Sequence, residues 1–282
     1  MERNDDGPSG NHTTFLGKRL GIYLVLTFGI TWSCWWTLAD LVPPGGSPTA
    51  SLGFMTLYVL GGFGPAIAAA IAVALTSRGG YKNDYLARLL RWRVSIVWWI
   101  AAFATPVLLA AGKEWVAVWT SGGTVAASTL EPLTKVLVLF PTMIIGGGVE
   151  ELGWRGVAQP EIERGVPRFT ATLIVGAVWA LWHVPLFYIH GVFQFGGDLS
   201  LFAADLLANA FLLAWLYART RSILLCVIAH AASNTATVMG FVTTASHASM
   251  PLWIATLAKV VAAALLLAAT SPRPPAARDA DR

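Results

Sequence analysis

The sequence predicts an all-α membrane protein: a polytopic helical bundle of about eight transmembrane helices with both termini cytoplasmic. Three observations predict it: the apolar excess, the length of the apolar runs and the placement of the basic residues. Of 282 residues, 56% are apolar and only 12% are charged, against roughly 25% charged in an ordinary soluble domain. A water-soluble fold of this size could not hide that much apolar surface and still cover its exterior. A soluble enzyme, a disordered protein and a nucleic-acid-binding domain are thereby excluded. The net charge of +4 is the signature of topogenic loops, so no nucleic-acid partner is expected.

The elements follow in order. Residues 1–17 are polar and rich in Gly, Asn and Asp, as expected of a disordered cytoplasmic tail. Lys18 and Arg19 precede an apolar run at 20–39, too long for a signal-peptide core. Further runs lie at 53–76, 94–111, 133–149, 170–190, 201–218, 222–242 and 250–270, each long enough to cross a bilayer at about 1.5 Å per residue. Residues 18–270 read as one domain with its motif core at 130–245, and 271–282 as a second cytoplasmic tail. Cys34 and Cys226 both sit inside apolar runs, which argues against a disulfide framework or a thiolate zinc site.

An inside amino terminus accounts for the basic residues. The expected inside segments hold Arg3, Lys18, Arg19, Arg78, Lys82, Arg88, Arg91, Arg93, Arg155, Arg164, Arg168, Arg219, Arg221, Arg273, Arg278 and Arg282, or 16 of 19. Lys113 falls in an outside loop, and Lys135 and Lys259 lie within or near spans. The segment 77–93 interleaves Leu86, Leu89, Leu90 and Trp92 with its arginines. It suits either a short helix on an anionic leaflet or a loop that only fixes orientation.

Ionisable residues inside such runs are costly and are functional candidates by default. Three groups stand out. Glu150–Glu151–Leu152–Gly153–Trp154–Arg155 follows the Gly146–Gly147–Gly148 run. Glu151 and Arg155 are four apart and can pair on a helix, which leaves Glu150 on another face. The glycines permit close approach of a helix or substrate. His183 sits in the fifth run, one turn after Trp179 and two residues before Pro185. His230 and Asn234 share one helix face in the seventh run. Counted along the spans, His230 lies about 13 Å and His183 about 20 Å from the inner ends, with Glu150 near the inner edge. That spread shrinks only if residues 150–172 dip into the membrane.

A glutamate and a histidine can orient and deprotonate a water. A second histidine and a carboxamide can donate to a developing oxyanion. That equipment suits amide hydrolysis. The same Glu150, His183 and His230 could instead hold a zinc ion with an acidified water. The patterns HExxH and GxSxG are absent, and the glycine runs do not match a phosphate-cradling loop.

The ordered set EExxxR at Glu150, Glu151 and Arg155, aromatic-xxx-His at Trp179 and His183, and HxxxN at His230 and Asn234 resembles the CPBP or Abi family, the type II CAAX prenyl endopeptidases and their bacterial relatives. The second motif often begins with Phe in that family, where this chain has Trp179. The resemblance implies an intramembrane endopeptidase acting on a membrane-associated or lipidated peptide from a cavity open to the cytosol. It implies a water-activating pair at Glu150 and His230, oxyanion donors at His183 and Asn234, and a supporting pair at Glu151 and Arg155. Family members are commonly described as metalloproteases, so the enzyme is expected to be either a metalloendopeptidase, with zinc as the cofactor, or glutamate-dependent. The expected partners are the lipid bilayer and a peptide or protein substrate, prenylated in the eukaryotic case. A multi-pass protein of a bacterial inner membrane fits the Ala- and Arg-rich composition. Two other readings compete: a non-catalytic immunity or scaffold protein of the same family, and a transporter using these residues as a relay.

Overall fold

The computed structural model describes residues 10–77, 80–122, 133–241 and 249–270. Among them there is no β-strand, and the helices are α1 (Gly10–Leu41), α2 (Leu52–Gly62), α3 (Gly64–Thr76), α4 (Tyr81–Leu89), α5 (Ile96–Thr120), α6 (Leu133–Gly146), α7 (Arg168–Trp182), α8 (Leu199–Thr220), α9 (Ile223–Ala236) and α10 (Met250–Ala268), with short turns between them. The chain is a multi-pass membrane protein. The tail expected at 1–17 is entered by α1 from Gly10. Residues 1–9 and the second expected tail lie outside the described residues, as do Arg3, Arg78, Arg273, Arg278 and Arg282.

The eight predicted runs are all helical but not all alike. Six helical stretches are long and apolar enough to cross a membrane, and α2 with α3 forms a seventh, bent by 52° between Gly62 and Gly64. The run expected at 222–242 is a shorter apolar helix, Ile223–Met239. It spans about 25 Å, less than a hydrocarbon core of about 30 Å. The run expected to end at 149 continues as a 29-residue stretch, Thr134–Ile162. The first polar motif therefore lies within that apolar helical stretch.

That continuation is irregular. After α6 come a 3-10 turn (Gly148–Glu150), one α-turn (Glu151–Gly153), a π-helical turn (Trp154–Ala158) and a final turn (Gln159–Ile162). Such mixed winding re-aims successive side chains and recurs at functional sites. Capping punctuates the rest. Ser51, Asp198, Ser222 and Ser249 each accept from a backbone N–H in the first turn of α2, α8, α9 and α10.

The main core joins α1, α3, α7, α8, α9 and the motif segment around Tyr23, Trp35, Trp154, Trp179, Trp182 and Tyr217. A smaller core of Ala208, Phe211, Ala214, Ala263 and Leu267 joins α8 to α10, and α5 packs against both α9 and α10. Two basic residues differ from expectation. Arg155, assigned to a cytoplasmic loop, is fully buried. Lys113, assigned to an outside loop, lies within α5 and is buried against α8, its ammonium 2.7 Å from Asp205 Oδ1. Both deviate for one reason: each has a carboxylate partner in the bundle, which hydropathy along the chain cannot register.

Candidate active site

Each polar group is placed by the element that carries it. Glu150 ends the 3-10 turn and Glu151 opens the next turn, so the adjacent carboxylates diverge. Arg155 Nη1 donates to Glu151 Oε1 at 3.2 Å and lies 3.0 Å from Oε2, and Nη2 donates to the Ala210 carbonyl of α8. The expected i, i+4 pair is thus present, in a site fully closed to solvent. His183 caps the carboxyl end of α7, where Pro185 follows and the chain tightens into the 3-10 turn Val184–Tyr188. His230 and Asn234 lie one turn apart on α9.

Trp179 is the hub. Its indole N–H donates to Glu150 Oε2 at 2.8 Å, and its carbonyl accepts from His183 Nδ1 at 2.8 Å. Its ring lies 5.9 Å from the His183 ring and 5.2 Å edge-to-face from the His230 ring, and the Arg155 guanidinium stands 5.2 Å over it. His230 Nδ1 donates to Glu151 Oε1 at 2.9 Å. A carbonyl and a carboxylate only accept, so both Nδ1 atoms carry a proton and these bonds leave both Nε2 atoms uncommitted.

Gly147 reveals where one of those atoms points. A Cβ there would overlap Asn234 Nδ2 and stand 3.1 Å from His230 Nε2. The backbone of the glycine run, Asn234 and His230 therefore meet at a single point. A Cβ on Gly148 would stand 2.8 Å from the Val227 carbonyl oxygen of α9. The close approach expected of the glycine run is an approach to α9.

All six expected site residues, Glu150, Glu151, Arg155, His183, His230 and Asn234, form one contiguous cluster. Their contacts, and not a shared depth count, bring them together. Counted from Ile162, Arg168 and Ile223, Glu150, His183 and His230 lie about 18, 22 and 11 Å along their helices. The structure adds Trp179 and Gly147. The signals for them were the aromatic one turn before a histidine, whose carbonyl is in reach of that ring, and a glycine directly ahead of paired carboxylates. His230 Nδ1 is held by Glu151.

Residues 132–236, which contain all three motifs, match the model of the Rce1-like family, the type II CAAX prenyl endopeptidases. The chain is also 27% identical over 226 residues to a protein named CAAX prenyl protease 2 from Methanococcus maripaludis, covering 74% of this chain and 80% of that protein. The zinc alternative can be tested on the donor set. Among the described residues no three His, Cys, Asp or Glu side chains are grouped so as to hold a metal ion. Glu150, His183 and His230 are each anchored to a different partner, the Trp179 indole, the Trp179 carbonyl and Glu151. Nδ1 anchoring of this kind also accompanies metal-ligating histidines.

Proposed function

We propose that the protein is a glutamate-dependent intramembrane endopeptidase that cleaves a membrane-associated, lipidated peptide. A CAAX-type prenylated tail is the first substrate class to try, by similarity to the archaeal CAAX prenyl protease 2. The observation that carries this reading is the convergence of a carboxylate, two imidazoles and a carboxamide around Trp179.

The roles follow from which atoms are already engaged. His183, with its Nδ1 proton given to the Trp179 carbonyl, offers the Nε2 lone pair to one hydrogen of a water. Glu150 takes the other hydrogen as general base. The water oxygen bonds to the scissile carbonyl carbon. The resulting oxyanion lies against Asn234 Nδ2–H and His230 Nε2–H. The second of these donors requires a proton on His230 Nε2 while Nδ1 stays bonded to the Glu151 carboxylate. Collapse breaks the C–N bond, and the proton held by Glu150 passes to the leaving amine. Arg155 holds Glu151 in orientation. The resemblance had grouped Glu150 with His230 and His183 with Asn234. The engaged Nδ1 atoms and the shared point above Gly147 support the opposite grouping.

The test is cleavage of a farnesylated CAAX-type peptide and its unprenylated counterpart by full-length protein in lipid nanodiscs. Glu150→Gln, which keeps shape and loses the base, should lower kcat by about 10²–10⁴, and chelation should leave wild-type cleavage unchanged. Equal cleavage by wild type and Glu150→Gln would refute the mechanism. Preference for the unprenylated peptide would refute the substrate class.

A further inference from the structure

The basic segment 77–93 is the one feature of the sequence that the site does not absorb. It contains a real helix, α4, with two faces. Lys82 and Leu86 are exposed, followed by exposed Leu90, Arg91, Trp92 and Arg93, whereas Tyr85 and Arg88 are buried.

The buried face docks on the motif segment. The Tyr85 hydroxyl donates to the Leu152 carbonyl at 3.1 Å. Arg88 Nη1 donates to the Gly156 carbonyl at 3.2 Å and to the Tyr217 hydroxyl at 2.7 Å, while its Nε is held by Asp84 at 2.8 Å. Gly156 has no room for a Cβ, which would stand 2.7 Å from the Tyr85 ring. The two carbonyls bracket the point where the chain changes from α to π winding, at Trp154–Ala158. That turn carries Arg155, and Arg155 orients the carboxylate that holds His230. A π-turn is an uncommon conformation; here two donors and a ring from a separate helix grip it. Burial raises the Tyr85 hydroxyl to about 12, with Arg88 acting in the opposite sense, so it remains a donor at any physiological pH.

We propose that α4 is a strap that sets the register of the π-turn, with Tyr85 and Arg88 as positioning residues for the Glu151–His230 arm of the site. This rests on the endopeptidase reading for its kinetic consequence but not for its structural one. Tyr85→Phe removes a single oxygen and keeps the ring beside Gly156. Arg88→Ala removes both carbonyl and phenol contacts, and Arg88→Lys restores a cation that can reach only part of them.

On the farnesylated peptide, Tyr85→Phe and Arg88→Ala should lower kcat about 10- to 100-fold with KM unchanged, since small misplacements of reacting groups cost rates of that order. Arg88→Lys should recover part of the loss. The imidazole 13C and 15N resonances of His230, read in nanodiscs without substrate, should move in Tyr85→Phe while those of His190 stay in place. Wild-type kcat and unmoved His230 signals in Tyr85→Phe would overturn the strap, and this variant decides the matter even if Arg88→Ala fails to fold. If Glu150→Gln cleaves as wild type while His230 still moves in Tyr85→Phe, the endopeptidase reading fails and the strap stands.

Discussion

Among the regions of this bundle that bury charges, two use their hydrogen-bonding capacity differently. Near the smaller core, Asp205 of α8 lies between Lys113 of α5 and Lys259 of α10. One ammonium is 2.7 Å from Oδ1 and the other 2.9 Å from Oδ2. Each carboxylate oxygen has its own cation, and both lysines are buried. In the motif cluster each imidazole uses Nδ1 for anchorage and leaves Nε2 uncommitted. The first arrangement closes on itself and ties three helices together. The second is anchored through Nδ1 and brings His230 Nε2 and Asn234 Nδ2 to one point above Gly147. Buried charge alone does not mark a site; directed, unspent valence does.

The most forceful way to break that distinction is Asp205→Asn. It leaves two ammonium groups facing each other with no counter-charge. Removing one member of a buried ionic group costs about 3–5 kcal/mol, so unfolding in detergent titrations should shift by that order. The turnover of the folded fraction should not change. Replacing all three residues together (Lys113→Met, Asp205→Leu, Lys259→Met) should recover most or all of the stability, because well-packed apolar side chains can substitute for a buried ion group. A loss of turnover in the folded triple variant would show that the triad serves the reaction as well as the fold.

Asn234→Ala probes the other region with a slightly smaller energetic effect. Removal of one oxyanion donor costs about 10²–10³ in kcat, or about 2.7–4 kcal/mol. KM should hold, because the donor acts on charge that develops only in the transition state. Thermal stability should change little, since among the described residues the Asn234 side chain makes no hydrogen bond. An equal rise in KM with unchanged kcat would make Asn234 a binding residue and weaken the contrast with the triad.

How much of this was legible in the chain follows the same division. The membrane class, the helical architecture and the three polar groups were readable because composition, run length and i, i+4 spacing are local. The Glu151–Arg155 pair and the shared face of His230 and Asn234 were predicted and are present. The depth of Glu150 was misread because Gly-rich, doubly acidic text looks like a loop end, whereas 3-10 and π turns carry it onward within the span. Arg155 and Lys113 were assigned to loops because their tertiary surroundings cannot be read from charge counting. Asp205 is 92 positions from Lys113. Which glutamate holds His230 depends on rotamers and on the turn between Glu150 and Glu151, and neither is written in the motif spacing.

A third kind of charge completes the comparison, at a helix end and not inside the bundle. Asp198 caps α8, accepting from the Ser200 hydroxyl at 2.6 Å and the Leu201 N–H at 2.9 Å. The Ser200 bond first, and the Leu201 bond second, hold its carboxyl below the usual carboxylate range. Asp198→Ala should cost about 1 kcal/mol, the ordinary value of an N-cap, with turnover unaffected. The sign of the pH dependence is set by the depressed folded-state value. The stabilisation is complete above the pKa of the unfolded carboxyl and is lost as the pH falls through the folded one. The gap between wild type and Asp198→Ala should therefore be full at neutral pH and close in acid. Asp198 and Asp205 sit on the same helix, seven residues apart. If burial and not mere charge determines what a carboxylate contributes, Asp205→Asn must cost several times more than Asp198→Ala in the same lipid, and equal losses would contradict that ordering.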